Sequence, residues 1–99
     1  MMQETEALTV LSALAQSTRL KVLVMLAEAG DEGMASSDIA DAVGVPRHLM
    51  SAHLAVLNKA GVVTTRKTGR TVTYSVCRAV IQKLNGYLGD LLETRKTPS

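Results

Sequence analysis

The chain lacks Phe and Trp entirely, and its 99 residues include one Cys, two Pro and two Tyr. Without large aromatic rings, a hydrophobic core must be built from Leu, Val, Ile, Ala and Met. A lone cysteine has no partner within the chain, which excludes an intrachain disulfide switch. The apolar content of 46% is enough for one core, so we expect a single domain spanning residues 1–99.

Long apolar stretches are also missing. No run reaches the roughly eighteen residues that cross a membrane, and the N-terminal MMQETEALTV lacks the basic and apolar regions of a signal peptide. We therefore expect a cytoplasmic protein with no membrane partner.

Catalytic and metal-binding patterns are absent as well. No Gly-rich phosphate loop, nucleophile elbow or paired carboxylates occur, so we expect no enzyme and no cofactor. His48 and His53 are five residues apart, whereas two metal ligands on one helical face stand about three or four apart. We therefore predict no metal site. Two interpretations of Cys77 stay open, a small buried hydrophobic residue or a lone redox sensor or subunit link.

Acidic residues are missing from one long window. None occurs between Ala42 and Gly89, although this window contains Lys and Arg repeatedly. The net charge is only +2, so the distribution of charge is more informative than its sum. Such asymmetry favours a face that attracts polyanions such as nucleic acid, although a basic solvated surface would give the same pattern.

Residues 36–60 have the apolar spacing of a short helix, a turn and a longer helix. Gly44 suits the end of the first helix, and Pro46 suits the start of the second. Ser36 or Ser37 is expected to cap the first helix. Two helices joined by a turn that contains glycine are the signature of a helix-turn-helix. The buried positions predicted for the two helices are Ile39, Ala40, Val43, Met50, Leu54 and Leu57.

Helices are also predicted on both sides of this motif. One spans about 4–14, and a second runs from a cap at Ser17 or Thr18 to Ala29 and is apolar almost all round, which predicts a central core helix. A last helix spans about 78–93, and the tail after it is expected to be disordered. Spare apolar residues on the first and last helices predict a two-fold dimer interface formed by Leu8, Leu11, Val80, Ile81, Leu84, Tyr87, Leu88 and Leu91.

The period of the sequence changes from helical to alternating after Gly61. Residues 62–66 and 71–76 are rich in branched side chains, and Lys67 to Arg70 form a turn between them. This pattern predicts a β-hairpin over about 62–77. A basic hairpin attached to a helix-turn-helix suggests a wing that touches phosphate or the minor groove. The alternative is an edge strand kept soluble by its charges.

Together these features resemble the ArsR/SmtB family of bacterial winged-helix repressors. The similarity covers roughly Ala13 to Val76 and includes ALAQSTRLKVLVML, SAHLAVLNKAGVV and RKTGRTVTY. The resemblance implies a mainly α winged helix-turn-helix with a small β-hairpin, in the order α-α-α-α-β-β-α. It also implies a homodimer paired through the terminal helices, with the second helix of each motif in the major groove, and repression that an inducer relieves.

The resemblance maps the recognition helix onto Pro46 to Lys59. Arg47, His48 and Ser51 then fall where family members contact base edges, and Arg47 can form two hydrogen bonds to guanine. Ser51 and His53 are expected to bond to phosphate, although His53 could equally be a packed residue beneath the helix. The expected DNA-binding residues are Ser37, Arg47, His48, Ser51, His53, Lys59, Arg66, Lys67, Thr68, Gly69 and Arg70.

The sequence thus predicts a homodimeric transcriptional repressor that binds an inverted repeat in double-stranded DNA. Two alternatives remain, a winged-helix regulator controlled by a partner protein and a winged-helix protein-interaction module. They differ from the first prediction in what the basic face does. DNA binding that weakens steeply with salt would favour a DNA-binding regulator over an interaction module.

Overall fold

The computed structural model describes residues 1–96. The chain forms a helix-turn-helix with a β-hairpin wing, as predicted, and adds a short strand that the sequence pattern did not predict. The helices are α1 (Glu4–Leu14), α2 (Ser17–Ala29), α3 (Ser36–Val43), α4 (Arg47–Lys59) and α5 (Arg78–Lys96). The strands are β1 (Met34–Ala35), β2 (Val63–Thr68) and β3 (Thr71–Val76), and a short 3₁₀ turn at Gly30–Glu32 precedes β1.

The hydrophobic core is aliphatic. On α4, Met50, Leu54 and Leu57 are fully buried, which confirms the periodicity of this helix. Each such side chain contributes about 1.5–3 kcal/mol to folding when it leaves water. The buried residues are Met2, Ala7, Val10, Ala13, Val22, Leu26, Ile39, Ala40, Met50, Leu54, Leu57, Val62, Val63 and Leu84.

Helix α2 differs from its prediction. Within the described chain only Val22 and Leu26 of this helix are buried, whereas Leu20 and Val24 are 48% and 55% exposed. The prediction that α2 is a central core helix is therefore wrong. Its apolar composition does not reveal that one face of the helix lies on the surface. No single helix in residues 1–96 is long and apolar enough to cross a bilayer. Within the same residues, one pair of consecutive helices has the length and apolar composition of a membrane span, namely Glu4–Leu14 with Ser17–Glu32, but the two are bent by 96° relative to each other.

Both predicted N-caps are wrong. Helix α2 is capped by Gln16, whose side-chain oxygen accepts from the Arg19 backbone N–H at 2.9 Å. Helix α3 begins directly after Ala35, and among the described residues no side chain caps it. The residues that were expected to be caps lie in the first helical turns instead, namely Ser17, Thr18, Ser36 and Ser37.

The turn between α3 and α4 follows its prediction. Gly44 has a left-handed conformation with φ of 80°, and its N–H donates to the Ala40 carbonyl at 2.9 Å. The Val45 N–H donates to the same carbonyl at 3.1 Å, which ends α3 firmly. Pro46 is then the N-cap of α4, where its missing N–H costs nothing. These residues fix the angle between the two helices.

Strand β1 joins the wing to the helix-turn-helix. In the described chain the sheet has the antiparallel order β1-β3-β2, and Met34 pairs with Tyr74. The strand leads directly into α3. Gly33, just before it, has φ of 69°, and a Cβ at this position would overlap the Tyr74 carbonyl oxygen. Only glycine therefore fits here.

Helix α5 divides into two halves. Leu84, predicted as a dimer contact, is only 8% exposed and packs in the core of its own subunit, which leaves little of its surface for a second subunit. Val80, Ile81 and Tyr87 are half-buried and pack against the same core, whereas the leucines nearer the C-terminus are exposed. The tail predicted to be disordered is helical as far as Lys96, and residues 97–99 lie outside the described residues.

Candidate nucleic-acid interface

The first two turns of α4 carry an exposed polar face. Arg47, His48 and Ser51 are all exposed, and Ser51 lies beside both of the others because it is four residues after Arg47 and three after His48. Met50 and Leu54 are fully buried beside this polar face and anchor the helix in the core. The predicted base-contacting residues thus project from a helix that is held in place by its buried side chains.

Arg47 forms a weak ion pair with a residue of α3. Its Nη2 lies 3.3 Å from Oδ2 of Asp41, and the two side chains are 68% and 64% exposed. An exposed ion pair of this kind contributes about 0–1 kcal/mol, so it orients the guanidinium without fixing it. Sequence analysis missed Asp41 because the contact crosses between two helices, which periodicity does not describe.

One depression unites three residues that were predicted separately. Ser37 from the first turn of α3, Arg47 from α4 and Arg70 from the wing line the same concave surface. The N–H groups at the start of α3 are unpaired within the helix and carry partial positive charge. The positive charges of Arg47 and Arg70 and the helix N-terminus around one depression favour a polyanion such as DNA. Ser36 and Thr71, which sequence analysis did not include, also line it.

His53 is half-buried between α4 and α2. Its Nδ1 lies 3.4 Å from Nη1 of Arg19, whose Nε donates to the Ala13 carbonyl at 2.6 Å. Arginine can only donate, so Nδ1 must accept, and the ring proton then resides on Nε2. His53 therefore accepts a hydrogen bond from Arg19 at Nδ1, and its Nε2–H is a donor on the other side of the ring. Both interpretations of this residue, packed side chain and phosphate contact, remain compatible with the geometry.

Lys59 lies apart from the other predicted residues. It is twelve positions after Arg47, which is about 18 Å along a helix. The surface around it is a shallow depression shared with Leu8, Thr9 and Ser12 of α1. The structure does not bring Lys59 together with the depression that contains Arg47 and Arg70.

The wing is exposed along β2 after Val63, whereas β3 is half-buried after Thr71. Arg66, Lys67 and Thr68 belong to β2 rather than to the turn, and the turn consists only of Gly69 and Arg70. The predicted turn at Lys67 to Arg70 is thus two residues too long. Strand β2 is at the edge of the sheet, so its basic side chains lie beside an unpaired backbone edge, an arrangement that also prevents edge-to-edge aggregation.

Cys77 lies at the junction of the wing and α5. It is a free, half-buried cysteine, and its backbone N–H donates to the Val62 carbonyl at 2.8 Å. Its neighbours Val76 and Arg78 line an apolar cleft with α2, but Cys77 does not. Across residues 1–96 no group of three or more His, Cys, Asp and Glu side chains could hold a metal ion.

The outer helices expose apolar side chains. Leu8 and Leu11 of α1 are 59% and 40% exposed, and Leu88 and Leu91 of α5 are 43% and 46% exposed. These four come from the predicted dimer contacts. Leu92 of α5, 64% exposed, extends the same surface. Apolar side chains concentrated on two neighbouring helices are typical of a surface that associates with another protein.

Known proteins support the architecture. A family model described as a helix-turn-helix domain matches residues 14–66. The nodulation protein NolR of Rhizobium meliloti is 35% identical over 81 residues, which is 82% of this chain and 64% of that protein. The matched part of the chain spans 64% of the length of NolR, and 52% and 45% of the lengths of two further curated regulators.

Solved structures agree with these matches. An ArsR-like transcriptional regulator from Rhodococcus sp. RHA1 superposes with a TM-score of 0.76 at 28% identity, covering 92% of this chain and 86% of that one. A homodimeric winged helix-turn-helix DNA-binding domain from Mycobacterium bovis superposes with a TM-score of 0.72 at 26% identity, covering 96% and 88%. The first is named as a transcriptional regulator and the second as a DNA-binding domain, and neither is named as an enzyme.

Proposed function

The chain belongs to the ArsR family of winged helix-turn-helix regulators, and we propose that it is a homodimeric transcriptional repressor that binds an inverted repeat in double-stranded DNA. The observation that carries the proposal is the depression in which Ser37, Arg47 and Arg70 meet. Residues from three separate elements converge there on one basic surface. A repressor of this kind would act in the cytoplasm, where it has access to DNA.

The proposed complex places the start of α4 in the major groove. Arg47 would contact guanine through two hydrogen bonds, with His48 and Ser51 beside it. Arg70 and Ser37 would contact phosphate at the edge of the groove, and the wing residues Arg66, Lys67, Thr68 and Gly69 would follow the adjacent backbone.

Arg47 must leave Asp41 before it can contact a base. The pair is exposed and weak, so this exchange has a small energetic cost. Asp41 nevertheless places a negative charge near DNA. We expect Asp41→Asn to tighten DNA binding several-fold. Asp38→Asn is the matched control, because it removes the same charge from an exposed position of the same helix, and Arg47 forms its ion pair with Asp41 and not with Asp38.

The proposed dimer forms through α1 and α5. Leu8, Leu11, Leu88 and Leu91 would pack against a second subunit, which would remove their apolar surface from water. A two-fold axis then relates the two α4 helices, and they reach successive major grooves when they stand about 34 Å apart. The homodimeric state of the Mycobacterium bovis domain supports this arrangement.

Fluorescence anisotropy tests the proposal directly. The purified protein is titrated against labelled duplex from its own upstream region and against a scrambled duplex of the same composition, each at two salt concentrations. We expect tighter binding to the upstream duplex and an affinity that falls with salt with a log–log slope of about −0.9 for each phosphate contacted. Equal or absent binding to both duplexes would instead favour the interaction-module alternative.

A further inference from the structure

The outer face of α2 is an apolar surface that belongs to neither the DNA-facing side nor the terminal helices. Leu20 and Val24 are 48% and 55% exposed and lie one turn apart. They line a shallow depression together with Lys21 and Glu28, and every described residue around this depression comes from α2. We refer to Leu20, Lys21, Val24 and Glu28 as the α2 patch.

The two charges of the α2 patch share one edge of the helix. Lys21 and Glu28 are seven residues apart, which is almost two full turns, so both lie on the same side of Leu20 and Val24. They are about 10 Å apart along the axis, which is too far for an ion pair within the helix. Among residues 1–96 neither side chain has an ion-pair partner.

This charge pattern is complementary to itself. When two α2 helices pack antiparallel about a two-fold axis between Val24 and Met25, position 21 of one helix stands level with position 28 of the other. The two-fold also keeps each residue on its own edge of the contact. Lys21 of each copy then faces Glu28 of the other, which gives two ion pairs beside an apolar contact of Leu20 and Val24.

We propose that the α2 patch docks against the α2 patch of a second copy of this chain, in an antiparallel pair. This contact uses a helix that the proposed α1–α5 dimer leaves uncovered, so it joins two dimers, and it does not depend on DNA binding. A helix of this length is only about 20 Å long. The interface is therefore small, and the association of dimers is weak and depends on concentration.

A charge exchange tests this pairing. Sedimentation equilibrium is measured without DNA over a range of protein concentrations for the wild type and for Lys21→Glu, Glu28→Lys and the double variant. Each single variant places two like-charged pairs in the interface, and we expect it to weaken the association of dimers at least tenfold. The double variant restores opposite charges, and we expect its association within about threefold of the wild type.

A second comparison separates the apolar contribution. Leu20→Glu is expected to abolish association beyond the dimer, whereas Leu49→Glu on α4, where the leucine is also 48% exposed, should not change it. A wild type that remains a dimer at the highest concentration would overturn the proposal. Single charge variants that behave as the wild type, or a double variant that fails to recover, would overturn it as well, because the dimers would then associate through other contacts.

Discussion

The proposed DNA-facing side is assembled within one subunit, whereas the outer-helix side of that subunit leaves apolar side chains exposed. On the DNA-facing side, α3, α4 and the wing bring Ser37, Arg47 and Arg70 to one depression within a single chain. On the outer side, Leu8 and Leu88 leave about half of their surface in water.

This difference separates two tasks. In the proposed complex, the groups that contact a half-site are assembled by folding, whereas the distance between the two recognition helices is set by association of the subunits. A change on one side should therefore leave the other intact unless it damages an element that both share. Five substitutions test this separation, from the largest expected effect to the smallest.

Gly33→Ala should damage both sides together. A Cβ there would overlap the Tyr74 carbonyl oxygen, and alanine is also unfavourable at φ of 69°. We expect the free energy of unfolding in urea to fall by about 3 kcal/mol or more, from left-handed strain of about 1–2 kcal/mol and overpacking of about 1–3 kcal/mol. Gly30→Ala is the control, because φ is 67° but the described residues leave open space around it. Equal losses in both variants would contradict a role for the close approach.

Leu88→Glu should separate the dimer and preserve the fold. A carboxylate in an apolar interface is costly, and the two-fold axis places two of them there. We expect the dissociation constant of the dimer to rise about 100-fold or more, a change of about 2.7 kcal/mol. Analytical ultracentrifugation in dilute solution measures it. Gln82→Glu, at an exposed polar position about 120° around the same helix from Leu88, should stay dimeric, and dimers in both variants would remove α5 from the interface.

Arg47→Ala should remove sequence preference without weakening the fold. The loss of two hydrogen bonds to guanine reduces discrimination between the upstream and scrambled duplexes by about 1–3 kcal/mol. The free energy of unfolding should change by less than about 1 kcal/mol, because the ion pair with Asp41 is exposed. Undiminished preference in anisotropy titrations would mean that another part of α4 recognises the bases.

Arg70→Ala should weaken binding to both duplexes about equally. A contact with one phosphate contributes about 0.9 to the slope of log affinity against log salt, and we expect the slope to decrease by that amount. Lys59→Ala removes the same charge at the far end of α4, about 18 Å along the helix from Arg47, and should leave the slope unchanged. A smaller slope in the Lys59 variant would require a longer DNA contact than the proposed docking provides.

Ser37→Ala should have the smallest effect. Its hydroxyl does not cap α3, so the free energy of unfolding should change by less than about 0.5 kcal/mol. A lost hydrogen bond to phosphate would weaken DNA binding by about 0.5–1.5 kcal/mol. Ser17→Ala, at the start of α2, is the control in the same titration. A change of stability without a change of affinity would assign Ser37 to the fold alone.

Much of the fold was predictable because it depends on local patterns. Gly44 and Pro46 mark the turn of the helix-turn-helix by their own backbone preferences, and Met50 shares a helical stripe with the other buried residues of α4. Strand β1 was not predictable from alternation, because two residues show no period. Gln16 replaced the expected serine or threonine cap because the hydrogen bond depends on the angle at which the chain enters α2.

The candidate site was predictable as a set of residue types but not as an arrangement. Leu84 and Leu88 belong to the same apolar stripe, and periodicity cannot show that the first meets its own core while the second remains exposed. Lys59 lies on the predicted recognition helix, but its distance from the wing depends on tertiary packing. The contacts of Arg47 with Asp41 and of His53 with Arg19 cross between helices, so no spacing within one helix indicates them.

The hydrogen bonding of β1 has a mechanical consequence. Because this strand pairs with β3 of the wing and continues into α3, we expect the wing and the helix-turn-helix to move together as one unit. The distance between two such units in a dimer would then change only through a rearrangement of the interface between the subunits. A signal that releases DNA would then change the arrangement of the two subunits. Each wing and helix-turn-helix would leave its half-site without a change in its own conformation.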